Sequence, residues 1–210
     1  MAKKYNIINS LYLGPLEIWK HLSRGDVIFL ECHENYQKKS FRNKCEIVCS
    51  AGVELLSIPL KKGKHGGIPI TEVEVAYHEP WIAQHDKKIK DAYIKSPYYD
   101  FYIHDLREIW NQEFTFLYDL NEAILKWTLH TLQLDIPIIK TEAYHKTLDD
   151  TYRDLRPMSQ LQKNDNSHSY PTYPQVYEYK IGFKPNLSIL DLIMNQGPES
   201  IVYLKQLSDK

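Results

Sequence analysis

Residues 26–33 read Asp26-Val27-Ile28-Phe29-Leu30-Glu31-Cys32-His33, an apolar run that turns acidic and then basic at its carboxyl end. Four apolar residues in a row, three of them β-branched or aromatic, read as a strand. In a strand Val27, Phe29, Glu31 and His33 share one face. An apolar face that ends in a carboxylate and an imidazole has the composition of a pocket floor, and in open α/β sheets ligands gather beyond the carboxyl ends of the strands. Upstream, Gly14 to Arg24 carries Leu16, Trp19, Lys20 and Leu22 at helical spacing, and Gly25-Asp26 stops that helix.

Downstream, Lys44–Ser50 alternates, Ala51-Gly52 is a turn signal, and Val53–Leu60 completes a hairpin. A Lys/Gly loop follows over Lys61–Gly67, and Ile70–Ala76 alternates as a fourth strand. The middle of the chain is helical. Glu79-Pro80-Trp81 opens a helix with proline in its first turn. Trp81, Ile82, His85, Ile89, Ala92 and Tyr93 then share its apolar face, and Ser96-Pro97 ends it. Further helices are predicted over Tyr98–Gln112 and Tyr118–Leu132, then a strand over Ile136–Thr141. Tyr152–Pro174 is polar, carries three prolines and reads as a long mobile loop. Gln175–Phe183 alternates again, Asn186 caps a helix running to Asn195, and Gly197-Pro198 starts a last short helix. Strands, then helices, then strands predict an α/β fold in the broad sense, a mixed sheet with packed helices, with α+β as the alternative.

The 210 residues suffice for a real core, and they are expected to form a single domain over 1–210. The net charge of −1 argues against a general nucleic-acid binder, which must neutralise phosphates. No apolar h-region follows the N-terminal lysines and no run approaches a membrane span. Three cysteines fit a reducing compartment. The expectation is a cytoplasmic protein without a membrane span. Nine histidines lack metal-ligand spacing, so no metal and no cofactor are expected.

Candidate chemistry centres on residues 31–45. His33 suits a general base oriented by Glu31. Arg42 suits a phosphate or carboxylate fork, with Lys38 as a point charge. Asn35 or Asn43 suits donation to a developing oxyanion. The same block also fits a charged surface loop with Glu31 and Arg42 as an ion pair. Lys61 opens a loop able to offer N–H groups and charge to a phosphate, or a solvated hairpin loop. His85 fits either a hydrogen-bonded buried histidine or a ligand contact. Cys45 and Cys49 share a strand face in a buried-cysteine pattern.

Several blocks in this order resemble the WbqC-like family over nearly the whole chain. They are Tyr12-Leu13-Gly14-Pro15, His33-Glu34-Asn35-Tyr36-Gln37-Lys38, Ser40-Phe41-Arg42-Asn43-Lys44-Cys45, Trp81-Ile82-Ala83-Gln84-His85 and Phe183-Lys184-Pro185-Asn186-Leu187-Ser188. Lys44 departs from the pattern, where arginine is common. Proteins of that family occur in bacterial surface-polysaccharide clusters, O-antigen clusters included. The resemblance implies transfer of glycine or another small acyl group to an amino sugar, with a nucleotide-linked amino sugar and an acyl or aminoacyl donor as partners. It places Arg42, Asn43, Trp81 and His85 with His33 and Asn35 around a cleft. Two other readings remain at this point. One is a non-catalytic nucleotide-sugar or partner-binding protein, for which the tyrosines and the 152–174 loop speak. The other is a single-strand nucleic-acid binder using Lys38, Lys39, Arg42 and Lys44.

Overall fold

The computed structural model describes residues 5–61, 67–161 and 170–207. Its sheet is built from β1 (Tyr5–Ile8), β2 (Val27–Leu30), β5 (Ile138–Lys140) and β6 (Tyr152–Asp154), in the order β5-β2-β1-β6, all parallel. A separate antiparallel hairpin pairs β3 (Lys44–Cys49) with β4 (Gly52–Ser57). Helices α1 (Leu16–Leu22), α2 (Trp81–Tyr93), α3 (Tyr99–Trp110), α4 (Leu117–Thr131), α5 (Glu178–Ile181), α6 (Ile189–Gln196) and α7 (Ser200–Gln206) complete the fold. This is the expected mixed α/β class.

The register places Ile139, Phe29 and Ile7 side by side on one face, and Ile138, Ile28 and Asn6 on the other. The second face is sealed. Ile8, Ile28 and Leu30 are buried there. Ile8 and Leu30 share a small cavity with Ile18 and Trp19 of α1 and Ile124 and Leu125 of α4. Asn6 Nδ2 also donates to the His21 carbonyl at 3.2 Å, tying α1 to β1. None of the described residues lining the first face belongs to a helix. A helix-free segment, 141–151, runs from β5 to β6 beside it. Parallel sheets are usually covered on both faces, so this half-open face sets the position of the candidate site.

Helix α6 is almost wholly buried, with Ile189, Leu190, Leu192, Ile193 and Met194 in the core and Asp191 and Asn195 enclosed with them. Ser188 caps it, its Oγ accepting from Leu190 N at 3.2 Å and donating to the Leu13 carbonyl at 2.7 Å. Asn186, expected as that cap, caps a different helix: its Oδ1 accepts from Glu17 N at 2.8 Å, in the first turn of α1.

Three other expectations are corrected. Ile70–Ala76 forms a 3-10 turn at Ile70–Glu72 and isolated bridges at Glu74 and Val75, not a strand. Alternation there records which side chains face inward, while the backbone pairs residue by residue with Phe116 and Leu60. Gln175–Phe183 contains the short helix α5 in place of a strand. The stretch expected as a loop from Tyr152 begins as β6 and continues into a 3-10 turn at Arg156–Ser159. Residues 162–169 of that loop, and 62–66 of the Lys/Gly loop, lie outside the described residues.

Candidate functional site

Beyond the carboxyl end of β2 the chain places Glu31, Cys32 and His33 against Thr141, which follows β5. Glu31 has no solvent exposure. A buried carboxylate is tolerated only when paired and hydrogen-bonded, and Glu31 is both. Its Oε1 accepts from His33 N at 2.8 Å and from Thr141 Oγ1 at 2.9 Å. Its Oε2 meets Arg156 Nη1 at 3.1 Å. Arg156 in turn binds Asp154 through Nε and Nη2, each at 2.8 Å, and donates from Nη2 to the His145 carbonyl at 2.8 Å. The Tyr144 ring lies 4.8 Å from the guanidinium. The hydrogen bonds that it donates to Asp154 are the main reason that the Arg156 guanidinium is pushed above its ordinary range.

His33 is exposed, and its Nε2 stands 2.9 Å from the Thr141 carbonyl. A carbonyl can only accept, so Nε2 carries the proton and the neutral ring keeps its lone pair on Nδ1. The Cys32 thiol donates to the same carbonyl at 3.2 Å. Thr141 thus orients an imidazole and a thiol through its carbonyl and a carboxylate through its hydroxyl.

Thr141 also lines a cleft of about 470 Å³ between the half-open sheet face and the 141–151 segment. Ile7, Phe29, Ile139 and Tyr152 form its floor. Glu142, His145, Leu148 and Asp149 line the other side, with Lys140 beside them. Tyr5, Phe29 and Tyr152 hold one another, with centroid separations of 5.7, 5.5 and 5.3 Å.

The other residues singled out from sequence lie elsewhere. Arg42 is buried and its fork grips Glu34, with Nε to Oε1 at 2.9 Å, while Nη1 donates to Ser159 Oγ at 3.1 Å. It ties the 34–42 loop to the Arg156–Ser159 turn, and its ion-pair partner is Glu34, not Glu31. Asn43 is also internal: its Oδ1 accepts from Tyr36 OH at 3.0 Å and its Nδ2 donates to the Ile58 carbonyl at 2.8 Å. Trp81 and His85 sit in the core under the hairpin. His85 Nδ1 lies 2.9 Å from Tyr12 OH and Nε2 lies 3.2 Å from the Ser57 carbonyl. Trp81 and Trp110 pack edge-on against its ring, at 5.1 and 6.3 Å. Burial holds the His85 imidazole down at about 4, so it is neutral near pH 7. No hydrogen bond or ring contact of Trp81 or His85 reaches the His33 cluster. Asn35 and Lys38 are exposed, Asn35 bridging to Pro69 through its backbone. Lys61 is exposed and paired with Glu74.

Sequence reasoning missed Thr141 and Arg156. Arg156 was hidden in a polar stretch read as loop, and it lies 125 residues from Glu31. Only the need of a buried glutamate for a cation could have pointed to it.

The WbqC-like protein family model matches residues 10–166 and 161–203. The chain belongs to the WbqC-like family. Neither the curated proteins nor the solved structures give a match to it. The two matched segments span the Glu31–His33 block, Thr141 and Arg156, so the cluster lies within the family's own region of the chain. No helix among the described residues is long and apolar enough to cross a membrane. Nor do three or more metal-ligating side chains gather among them.

Proposed function

We propose that this WbqC-like protein transfers a small acyl or aminoacyl group, glycyl-like, to the amine of an amino sugar during assembly of a bacterial surface polysaccharide such as O-antigen. The reading takes a nucleotide-linked amino sugar as acceptor and an activated acyl or aminoacyl compound as donor, both cytoplasmic. The observation that carries it is the His33 ring, held by the Thr141 carbonyl with Nδ1 left as acceptor, beside a cleft that Thr141 itself lines. An amine attacks a carbonyl only with its lone pair free. A base must therefore take its proton before or during attack, and imidazole suits that task near neutral pH. Glu31 fixes the His33 backbone and the Thr141 hydroxyl, so the ring is positioned before substrate arrives.

A second reading, a non-catalytic nucleotide-sugar-binding protein of the same pathway, draws support from the internal commitments of Arg42, Asn43 and His85. Turnover decides between the two. The purified chain is incubated with acyl-CoAs or aminoacyl donors and UDP- or dTDP-linked amino sugars, and products are followed by mass spectrometry. The transfer reading expects product, with a loss of about 10²-fold or more in His33→Ala while the melting temperature stays put. Full turnover in His33→Ala removes His33 from the chemistry. Saturable binding with no product from any donor favours the second reading.

A further inference from the structure

The half-open sheet face and the 141–151 segment enclose a cleft with no assigned occupant. Its volume of about 470 Å³ is within the ordinary range of small-molecule sites. The floor is apolar and aromatic. Ile139 stays 46% exposed and Phe29 and Tyr152 are half-buried, although they lie on a parallel sheet whose other face is sealed. Tyr5, Phe29 and Tyr152 brace each other, so the platform is fixed before anything binds and loses little freedom on binding.

The charges of the cleft select among ring-shaped ligands. Glu142 and Asp149 line it. Glu142 makes no side-chain hydrogen bond or ion pair among the described residues. Asp149 is held low by its hydrogen bonds from Thr151 and so stays ionised. The one lysine among the described residues of the lining, Lys140, is already spent: its Nζ meets Glu122 at 2.9 Å and lies 5.1 Å from the centre of the Tyr118 ring. Among the described residues of the lining an anionic group would face two carboxylates with no free ammonium to meet it, whereas a cation would find both. Thr147 supplies a hydroxyl of the kind that pairs with a polyol, whereas the Thr141 hydroxyl is held by Glu31 Oε1 and Cys32 N.

We propose that this cleft binds an amino-pyranose in its ammonium form, with the apolar face of the ring on Phe29 and Tyr152 and the ammonium at Glu142 and Asp149. Any phosphate of the same ligand lies outside the cleft. The inference deepens the transfer reading by giving its acceptor a place next to Thr141 and His33, but binding here requires no turnover.

The test uses the full chain with isoleucine methyl groups labelled with carbon-13, so that Ile7 and Ile139 report from the floor. Glucosamine, N-acetylglucosamine and glucosamine 6-phosphate are titrated separately. Glucosamine is expected to shift the Ile7 and Ile139 methyls saturably. N-acetylglucosamine, which lacks the charge, is expected to bind about tenfold more weakly. Glu142→Gln should weaken glucosamine by about the same factor and leave N-acetylglucosamine unchanged. The proposal is overturned by glucosamine leaving Ile7 and Ile139 unmoved at its highest soluble concentration, by Glu142→Gln binding it as tightly as the parent, or by the 6-phosphate binding more tightly than glucosamine. Methyl shifts without turnover would sink the transfer reading alone, and turnover without methyl shifts would sink this one alone.

Discussion

Arg156 Nη1 lies 3.1 Å from Glu31 Oε2, and this contact joins the end of β2 to the turn that follows β6. The two strands are not neighbours, since β1 stands between them. The pair therefore closes the carboxyl edge of the sheet across its middle strand. The same guanidinium holds the His145 carbonyl and lies against Tyr144, fastening the segment beside the cleft. Removing Arg156 leaves a carboxylate buried without a countercharge. Arg156→Ala should cost about 3–5 kcal/mol of unfolding free energy, read from the urea midpoint at constant slope. Adding Glu31→Gln should restore a good part of that loss. A double variant no more stable than Arg156→Ala would show that the Asp154 and His145 contacts, not the Glu31 charge, set the cost.

Arg42 answers to the same physics at another place. Its guanidinium is enclosed and gripped by Glu34, so it is an internal strut and has no free fork to offer a phosphate. Arg42→Ala should lower stability by about 3–5 kcal/mol and weaken every ligand to the extent that it unfolds the chain. Arg42→Ala with a native urea midpoint and selectively lost nucleotide-sugar binding would return Arg42 to the site.

How much of this was legible follows from the range of each signal. The helices α2, α3 and α4 are long enough for their apolar stripe to repeat, and the hairpin carries its own turn signal at Ala51-Gly52. Both were readable. Strands β1 and β6 have four and three residues, too few for a period of two to show. Arg153 and Asp154 lend β6 the composition of a loop, because an edge strand keeps polar side chains. Glu31 and His33 were legible as a chemical pair because they follow an apolar strand directly. Their real neighbours, Thr141 and Arg156, come from segments more than 100 residues away, and no local pattern encodes such a meeting. His85 illustrates the opposite case: its place on the apolar face of α2 already fitted the buried, hydrogen-bonded role that it has.

Gly197 has φ +51° and ψ −126°, a backbone region that side chains avoid. A Cβ there would stand 2.4 Å from Tyr98 Cε1. The turn between α6 and the last helix thus needs glycine for two separate reasons. Gly197→Ala should lose about 1–3 kcal/mol from the backbone strain and more from the displaced ring. Placing the same substitution in a Tyr98→Ala background should remove only the steric part. Equal losses in both backgrounds would mean that the ring moves aside freely.

His85 and Asp191 pull the pH dependence of stability in opposite directions. Burial lowers the His85 imidazole from its ordinary 6.5 to about 4. Between those values the unfolded chain binds the proton and the folded chain does not, so this histidine makes stability rise with pH. Asp191 is fully buried in the first turn of α6, accepting from Tyr173 OH at 2.6 Å and Gln175 Nε2 at 2.8 Å. Burial raises its carboxyl from 3.8 to about 6. There the folded chain holds the proton that the unfolded chain has lost, so this aspartate makes stability fall as pH rises through the window. Each shift corresponds to about 3 kcal/mol, and between pH 4 and 6 the two largely offset one another. His85→Gln keeps a donor for the Ser57 carbonyl and an acceptor for Tyr12 OH but cannot titrate. Relative to the parent, its unfolding free energy should gain from acidification across pH 6 to 4. Asp191→Asn should lose relative to the parent over the same interval. Urea melts of the three proteins at pH 4, 5, 6 and 7 measure both differences, and parallel curves for all three would show that neither group carries a shifted proton in the folded state.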